Sequence, residues 1–184
     1  MERIDPRSRR DKFGSKINRI HSPALAYSVP WLSIMLASLT PFLPIIAPAP
    51  VLPPLAFLLL LGWRFLRPGL LPPWAGLPLG MFDDLYSGQP FGSGILLFSL
   101  ALLAVEIIEF KFPWRNVWID WLTAGGLTVA YLIGAALISG GAIKPLESTV
   151  IIPQVLISVL LFPLLARVVA GLDRFRLTRI RRIG

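Results

Sequence analysis

The sequence predicts an all-α polytopic integral membrane protein of about six transmembrane helices, and three observations point to it. Of 184 residues, 55% are hydrophobic and 15% are charged, with a mean hydropathy of +0.70. A soluble domain carries about a quarter charged residues. Apolar runs recur along the chain, several near the roughly 20 residues that cross a bilayer core. The net charge of +8 is concentrated at the ends: Arg3, Arg7, Arg9, Arg10, Lys12, Lys16 and Arg19 lead the chain, and Arg167, Arg174, Arg176, Arg179, Arg181 and Arg182 close it. Basic ends around an apolar body are topology signals and anchors to anionic lipid. No aromatic platform accompanies them, so nucleic acid is not an expected partner.

The expected organisation is a basic cytoplasmic N-terminal tail at 1–25, a six-helix membrane domain at 26–172 and a basic cytoplasmic C-terminal tail at 173–184. In the first tail, Phe13, Ile17 and Ile20 are spaced for a short amphipathic helix on the membrane surface. The apolar run that follows starts near Tyr27 without a small-residue cleavage site, so it reads as a retained span rather than a signal peptide.

The first segment, about Tyr27 to Ile46, contains Pro30, Pro41 and Pro44 and is expected to kink. Ala47-Pro48-Ala49-Pro50 is an extended connector. The second segment, about Leu52 to Phe65, is short for a span, so it is expected to tilt or to reach the interface through snorkelling Arg64 and Arg67. The third, about Gly69 to Tyr86, carries Pro72, Pro73 and Pro78 and ends in Asp83-Asp84. The fourth runs from about Phe91 to Phe110 and is apolar up to Glu106 and Glu109. Lys111 and Arg115 lie in the turn to the fifth, about Val117 to Ser139. Residues 140–147 form a turn, and the sixth segment, about Thr149 to Leu172, enters the basic tail. With six spans, 17 of the 18 basic residues fall on the side of the two tails and Lys144 alone falls opposite. That asymmetry places both termini in the cytoplasm and the Asp83-Asp84 loop outside.

Catalytic chemistry is poorly supplied. Absence of cysteine removes disulfides, thiol catalysis and Cys-ligated metal. The sole histidine, His21, sits in the basic tail. Ser93 of Gly92-Ser93-Gly94 therefore has no histidine to activate it, and no His-Glu-x-x-His stretch exists. Asp83 and Asp84 are too few for a hard-cation site, which draws three or more oxygens from several elements, so neither a metal nor a cofactor is expected. Glu106 and Glu109 share a helix face and read as a structural ion pair with nearby bases at the cytoplasmic edge. Asp120 suits the positive end of the fifth helix. Gly126, Ala130 and Gly134 recur on one helix face, where small side chains allow close helix packing. Trp31, Trp63, Trp74, Trp114, Trp118 and Trp121 lie mostly near segment ends, as an aromatic belt would.

The most specific stretch is Gly80-Met81-Phe82-Asp83-Asp84-Leu85-Tyr86-Ser87-Gly88-Gln89-Pro90-Phe91-Gly92. It resembles the Gly-Leu-Leu-x-Asp-Leu-x-Ser-Gly-x-Pro-Leu-Gly signature of the rod shape-determining protein MreD family. Asp84 falls on the family aspartate, and Gly80, Ser87, Gly88, Pro90 and Gly92 also match. Asp83 takes a position that is usually apolar there and is expected to be a solvated neighbour. The resemblance implies a non-enzymatic inner-membrane scaffold of the cell-elongation machinery. Its partners would be MreC, with MreB, RodA and the elongation transpeptidase in the same complex, and membrane lipid. It also implies a fold similar to the substrate-binding component of energy-coupling-factor transporters, which makes a vitamin-type binding component the alternative. That alternative would draw on Asp83, Asp84, Tyr86, Gln89 and Glu147. An enzyme of lipid or lipid-linked sugar metabolism would need a clustered acid motif, and none is found. Within the stretch, the glycines are expected to let the third and fourth helices turn and pack closely. Ser87 would cap the turn, Pro90 would stand in the first turn of the fourth helix, and Asp84 would accept from free N–H groups at that helix start.

Overall fold

The structure, a computed structural model, describes residues 19–20, 23–42, 52–111, 116–140, 145–177 and 181–182. Among the described residues there are six α-helices: α1 (Pro23–Ser38), α2 (Leu55–Leu66), α3 (Gly76–Tyr86), α4 (Ser93–Lys111), α5 (Val117–Ile138) and α6 (Pro145–Arg176). Among the described residues, three stretches are long and apolar enough to cross a membrane: α4, α5 and Ile152–Arg176 of α6. At 1.5 Å per residue, the 19 residues of α4 reach about 28 Å, close to a bilayer core. Large apolar side chains stand exposed along these helices, among them Leu96, Leu100, Leu103 and Ile107 on α4 and Leu156, Leu160 and Leu164 on α6. A soluble monomer rarely leaves such a surface in water. The chain is a membrane protein.

The short second segment is the centre of the core. Residues 56–64 of α2 are all buried, as expected of a helix that is apolar all round. Its neighbours α1, α4, α5 and α6 surround it. Leu58, Leu60, Leu61 and Trp63 are fully buried against Leu79, Phe98, Leu102, Val105 and Val169. Trp63 is therefore a core residue and not part of a belt, and its indole N–H donates to the Ser33 hydroxyl at 2.9 Å. Trp114 lies outside the described residues.

The third segment is not one helix. Gly69 takes a left-handed φ of 85°, and a 3-10 turn at Pro73–Ala75 precedes α3. Two consecutive prolines remove two N–H donors and restrict the residue before each, so a regular helix cannot start until they are passed. α3 has 11 residues, about half the depth of a bilayer.

Prolines inside helices also decide how helices meet. Pro30 in α1 cannot donate to the Ala26 carbonyl four residues earlier, and Arg176 Nη1 donates to that oxygen at 3.0 Å. Pro163 in α6 likewise frees the Val159 carbonyl, and the Trp121 indole of α5 donates to it at 2.9 Å. Trp121→Phe is expected to cost about 1 kcal/mol, measured by detergent-titrated unfolding. In a Pro163→Ala background, where an N–H returns to the ladder, that cost should vanish, and the double-mutant cycle reads the coupling.

The end of the body that holds the C-terminal turn of α6 is laced with ion pairs. Arg64 meets Glu109 at 2.9 Å. Asp173 binds Arg67 at 2.7 Å and Arg176 at 2.7 Å, and the Arg176 guanidinium lies 5.7 Å over the Trp63 ring. Arg64 does not snorkel: its side chain is 6% exposed, because a buried guanidinium needs a carboxylate beside it. α6 continues to Arg176, and both Asp173 and Arg176 are buried in the body. Asp173→Asn leaves one uncharged oxygen where a carboxylate served Arg67 and Arg176, and is expected to cost about 2 kcal/mol by the same unfolding assay. Past this end, β1 (Arg19–Ile20) pairs antiparallel with β2 (Arg181–Arg182), so the two tails lie together. Phe13, Ile17 and Arg115 fall outside the described residues.

Candidate functional site at the turn between α3 and α4

At the opposite end, α3 and α4 pack closely, and glycines set their distance. A Cβ on Gly80 would lie 2.4 Å from the Gly94 carbonyl oxygen, and one on Gly76 would lie 2.7 Å from Ser99 Cα. Neither obstacle is a flexible side chain, so only glycine fits. Gly94 completes the contact, with Gly80 O at 2.9 Å and Asp84 Oδ1 at 2.8 Å from where its Cβ would be.

This approach brings Asp84 onto the start of α4. Its Oδ2 accepts from the Gly92 N–H at 2.8 Å and the Ile95 N–H at 3.3 Å. Its Oδ1 accepts from the Gly94 N–H at 2.6 Å and the Ser93 hydroxyl at 3.1 Å. The first N–H groups of a helix have no intrahelical partner, and the positive helix end favours a carboxylate. Asp84 therefore caps α4 from the preceding helix, leaving the cap position of α4 itself to glycine.

The turn residues divide the remaining work. Ser87 ends α3, its N–H donating to the Asp83 carbonyl at 2.8 Å, while its hydroxyl meets the Gln89 N–H only at 3.4 Å. Gly88 and Gly92 have φ of 71° and 99° and no atom within 4 Å of an added Cβ. They supply left-handed backbone rather than close packing. Pro90 stands three residues before α4, not in its first turn, and its carbonyl accepts from the Ser93 N–H at 3.1 Å. Helical geometry starts later than expected because Gly92 must first reverse the chain. The Tyr86 ring lies between Phe82 at 4.9 Å and Phe42 at 5.5 Å.

Asp83 is not a solvated neighbour: it is 7% exposed. Consecutive helical residues point about 100° apart, so while Asp84 faces α4, Asp83 faces the α1 side and the Ser38 hydroxyl. It lines an open cavity of about 280 Å³ with Ser38, Ser87, Gln89, Tyr131 and Gln154. Tyr131 stacks on Phe57, centroids 4.3 Å apart and planes at 22°. Gln154 is held by donating to the Leu52 carbonyl at 2.7 Å. Among the described residues no group of three or more His, Cys, Asp or Glu comes together.

The small-residue face of α5 is only partly used. An added Cβ on Gly134 would lie 2.7 Å from Leu97 Cδ2 on α4, whereas Gly126 has nothing within 4 Å, and both Gly126 and Ala130 are exposed. Each four-residue step drifts about 40° around a helix, which carries Gly134 to α4 and leaves the other two pointing away from the body. Gly126→Ala is expected to leave stability unchanged or raise it by up to about 1 kcal/mol, read by thermal unfolding in lipid nanodiscs. Asp120 lies in the first turn of α5, whose cap is Asn116, accepting from the Ile119 N–H at 2.9 Å. Glu106 is exposed while Glu109 reaches Arg64.

Several residues at this site carried little sequence signal. Gly76 stands four before Gly80, a spacing that does point to close helix packing in membranes. Ser38, Tyr131 and Gln154 come from three distant helices and carry no local signature. Comparison with protein-family models, with curated proteins and with solved structures finds no match for this chain.

Proposed function

We propose that this chain is a non-enzymatic scaffold subunit of the bacterial cell-elongation machinery, a member of the MreD family, with six spans and both termini cytoplasmic in the inner membrane. It would support lateral peptidoglycan synthesis by binding MreC and, in the same complex, MreB, RodA and the elongation transpeptidase. The observation that carries this reading is the use made of the 80–92 stretch. Asp84, the residue aligned with the family aspartate, makes four hydrogen bonds that fix the start of α4. The stretch thus builds a rigid, shaped turn in place of a reactive centre, which suits a surface for partners. The pairing of β1 with β2 keeps the two tails together and agrees with an even number of crossings.

Depletion in the native host should round the cells, and affinity purification in mild detergent should bring down MreC. Normal shape with a nutrient-uptake defect would overturn the reading. Replacing Asp84 by asparagine should impair both shape and MreC capture; full retention of both would leave the carboxylate without a role in the scaffold. One observation favours the second reading, a substrate-binding component of a vitamin-type transporter: the polar cavity beside Asp83. Uptake assays against cell-shape imaging separate the two.

A further inference from the structure

We propose that the cavity beside Asp83 is a binding site for a small organic cation, a primary ammonium group carried on a ring-sized apolar body. The carboxylate comes first. Asp84 is consumed by the start of α4, but Asp83 takes no part in that cap and is 93% buried at the cavity wall. A buried carboxylate is costly without a counter-charge. Among the described residues no Lys, Arg or His lines the cavity; Arg64, Arg67 and Arg176 are engaged at the other end. Residues 43–51, which connect two of its walls, are uncharged.

The rest of the lining suits the same ligand. An ammonium has three N–H donors and no acceptor; Ser38 lies beside the carboxylate, and Ser87 and Gln89 line the same cavity. Tyr131, stacked on Phe57, provides an aromatic wall for an apolar body or for the cation itself. The volume of about 280 Å³ lies at the small end of ligand sites, about 300–1,000 Å³, and suits a ring-sized body. Adjacent Asp83 and Asp84 disfavour anions. This site does not depend on the scaffold reading, because binding is a property of the isolated chain.

The test uses the full chain in phosphatidylcholine nanodiscs and two probes of equal shape, benzylamine as the cation and benzyl alcohol as its neutral analogue. Isothermal titration should give saturable benzylamine binding above that of empty nanodiscs, with benzyl alcohol at least tenfold weaker. Asp83→Asn, which keeps the shape and removes the charge, should weaken benzylamine at least tenfold and leave benzyl alcohol unchanged. Ala37→Phe, which fills the cavity from α1, should abolish saturable binding of both. Wild-type binding no different from empty nanodiscs, or benzylamine affinity unchanged in either variant, would overturn the proposal. Lys144→Gln should bind benzylamine as the wild type does. A tenfold gain there would mean that this lysine already occupies the site, and would overturn it as well.

Discussion

Asp84→Ala should lower the unfolding free energy by about 4 kcal/mol, the largest effect expected of any single change at the α3–α4 turn. The substitution strips the partner from three backbone N–H groups and one hydroxyl at once. Capping residues alone contribute up to about 2 kcal/mol, and each buried donor left unsatisfied adds about 1–3 kcal/mol, though not additively. Asp84→Asn should cost about half as much, since one oxygen still accepts while the new amide hydrogens face N–H groups. Detergent-titrated unfolding in mixed micelles, followed by tryptophan fluorescence, measures both. Equal losses for the two variants would mean that a single neutral acceptor rescues nothing and that the complete carboxylate is required.

Gly80→Ala comes second, at about 3 kcal/mol. Its new methyl would stand 2.4 Å from a backbone oxygen of α4, and backbone cannot swing aside as a side chain can. The two helices must separate, which also pulls Asp84 from the start of α4. Gly88→Ala, strained only through its left-handed φ of 71°, should cost about 1 kcal/mol. A ranking with Gly88→Ala worse than Gly80→Ala would show that turn conformation, not helix contact, governs the site.

Much of the architecture was legible because lipid and water sort residues strongly. The apolar runs gave the helical class. The acceptor role expected of Asp84 could be framed because glycine, serine and proline around it left free N–H groups to be met. What could not be read depended on the third dimension. A 12-residue apolar run looks too short to span, and only its ring of neighbours reveals it as the central helix. Gly126, Ala130 and Gly134 look equivalent in one dimension, yet helical drift sends one to a neighbour and two outward. Asp83 and Asp84 are adjacent letters facing different surroundings, and the walls facing Asp83 come from residues 38, 131 and 154. Arg64 and Arg176 counted correctly as charge, but that count is blind to the carboxylates that pair them.

The proline-freed carbonyls have a consequence for how the protein is made. Helices in hydrocarbon can slide along one another, because one greasy surface resembles the next. A carbonyl released by proline is a notch at a single height, and the donor that fills it sets the axial register of two helices to within one residue. The notch at Ala26 is filled by a residue 150 positions later in the chain. Because the donor comes from the final turn of α6, this notch of α1 cannot be filled before that turn has been synthesised. Truncation of the final turn of α6 would then remove the donor that fixes the register of α1.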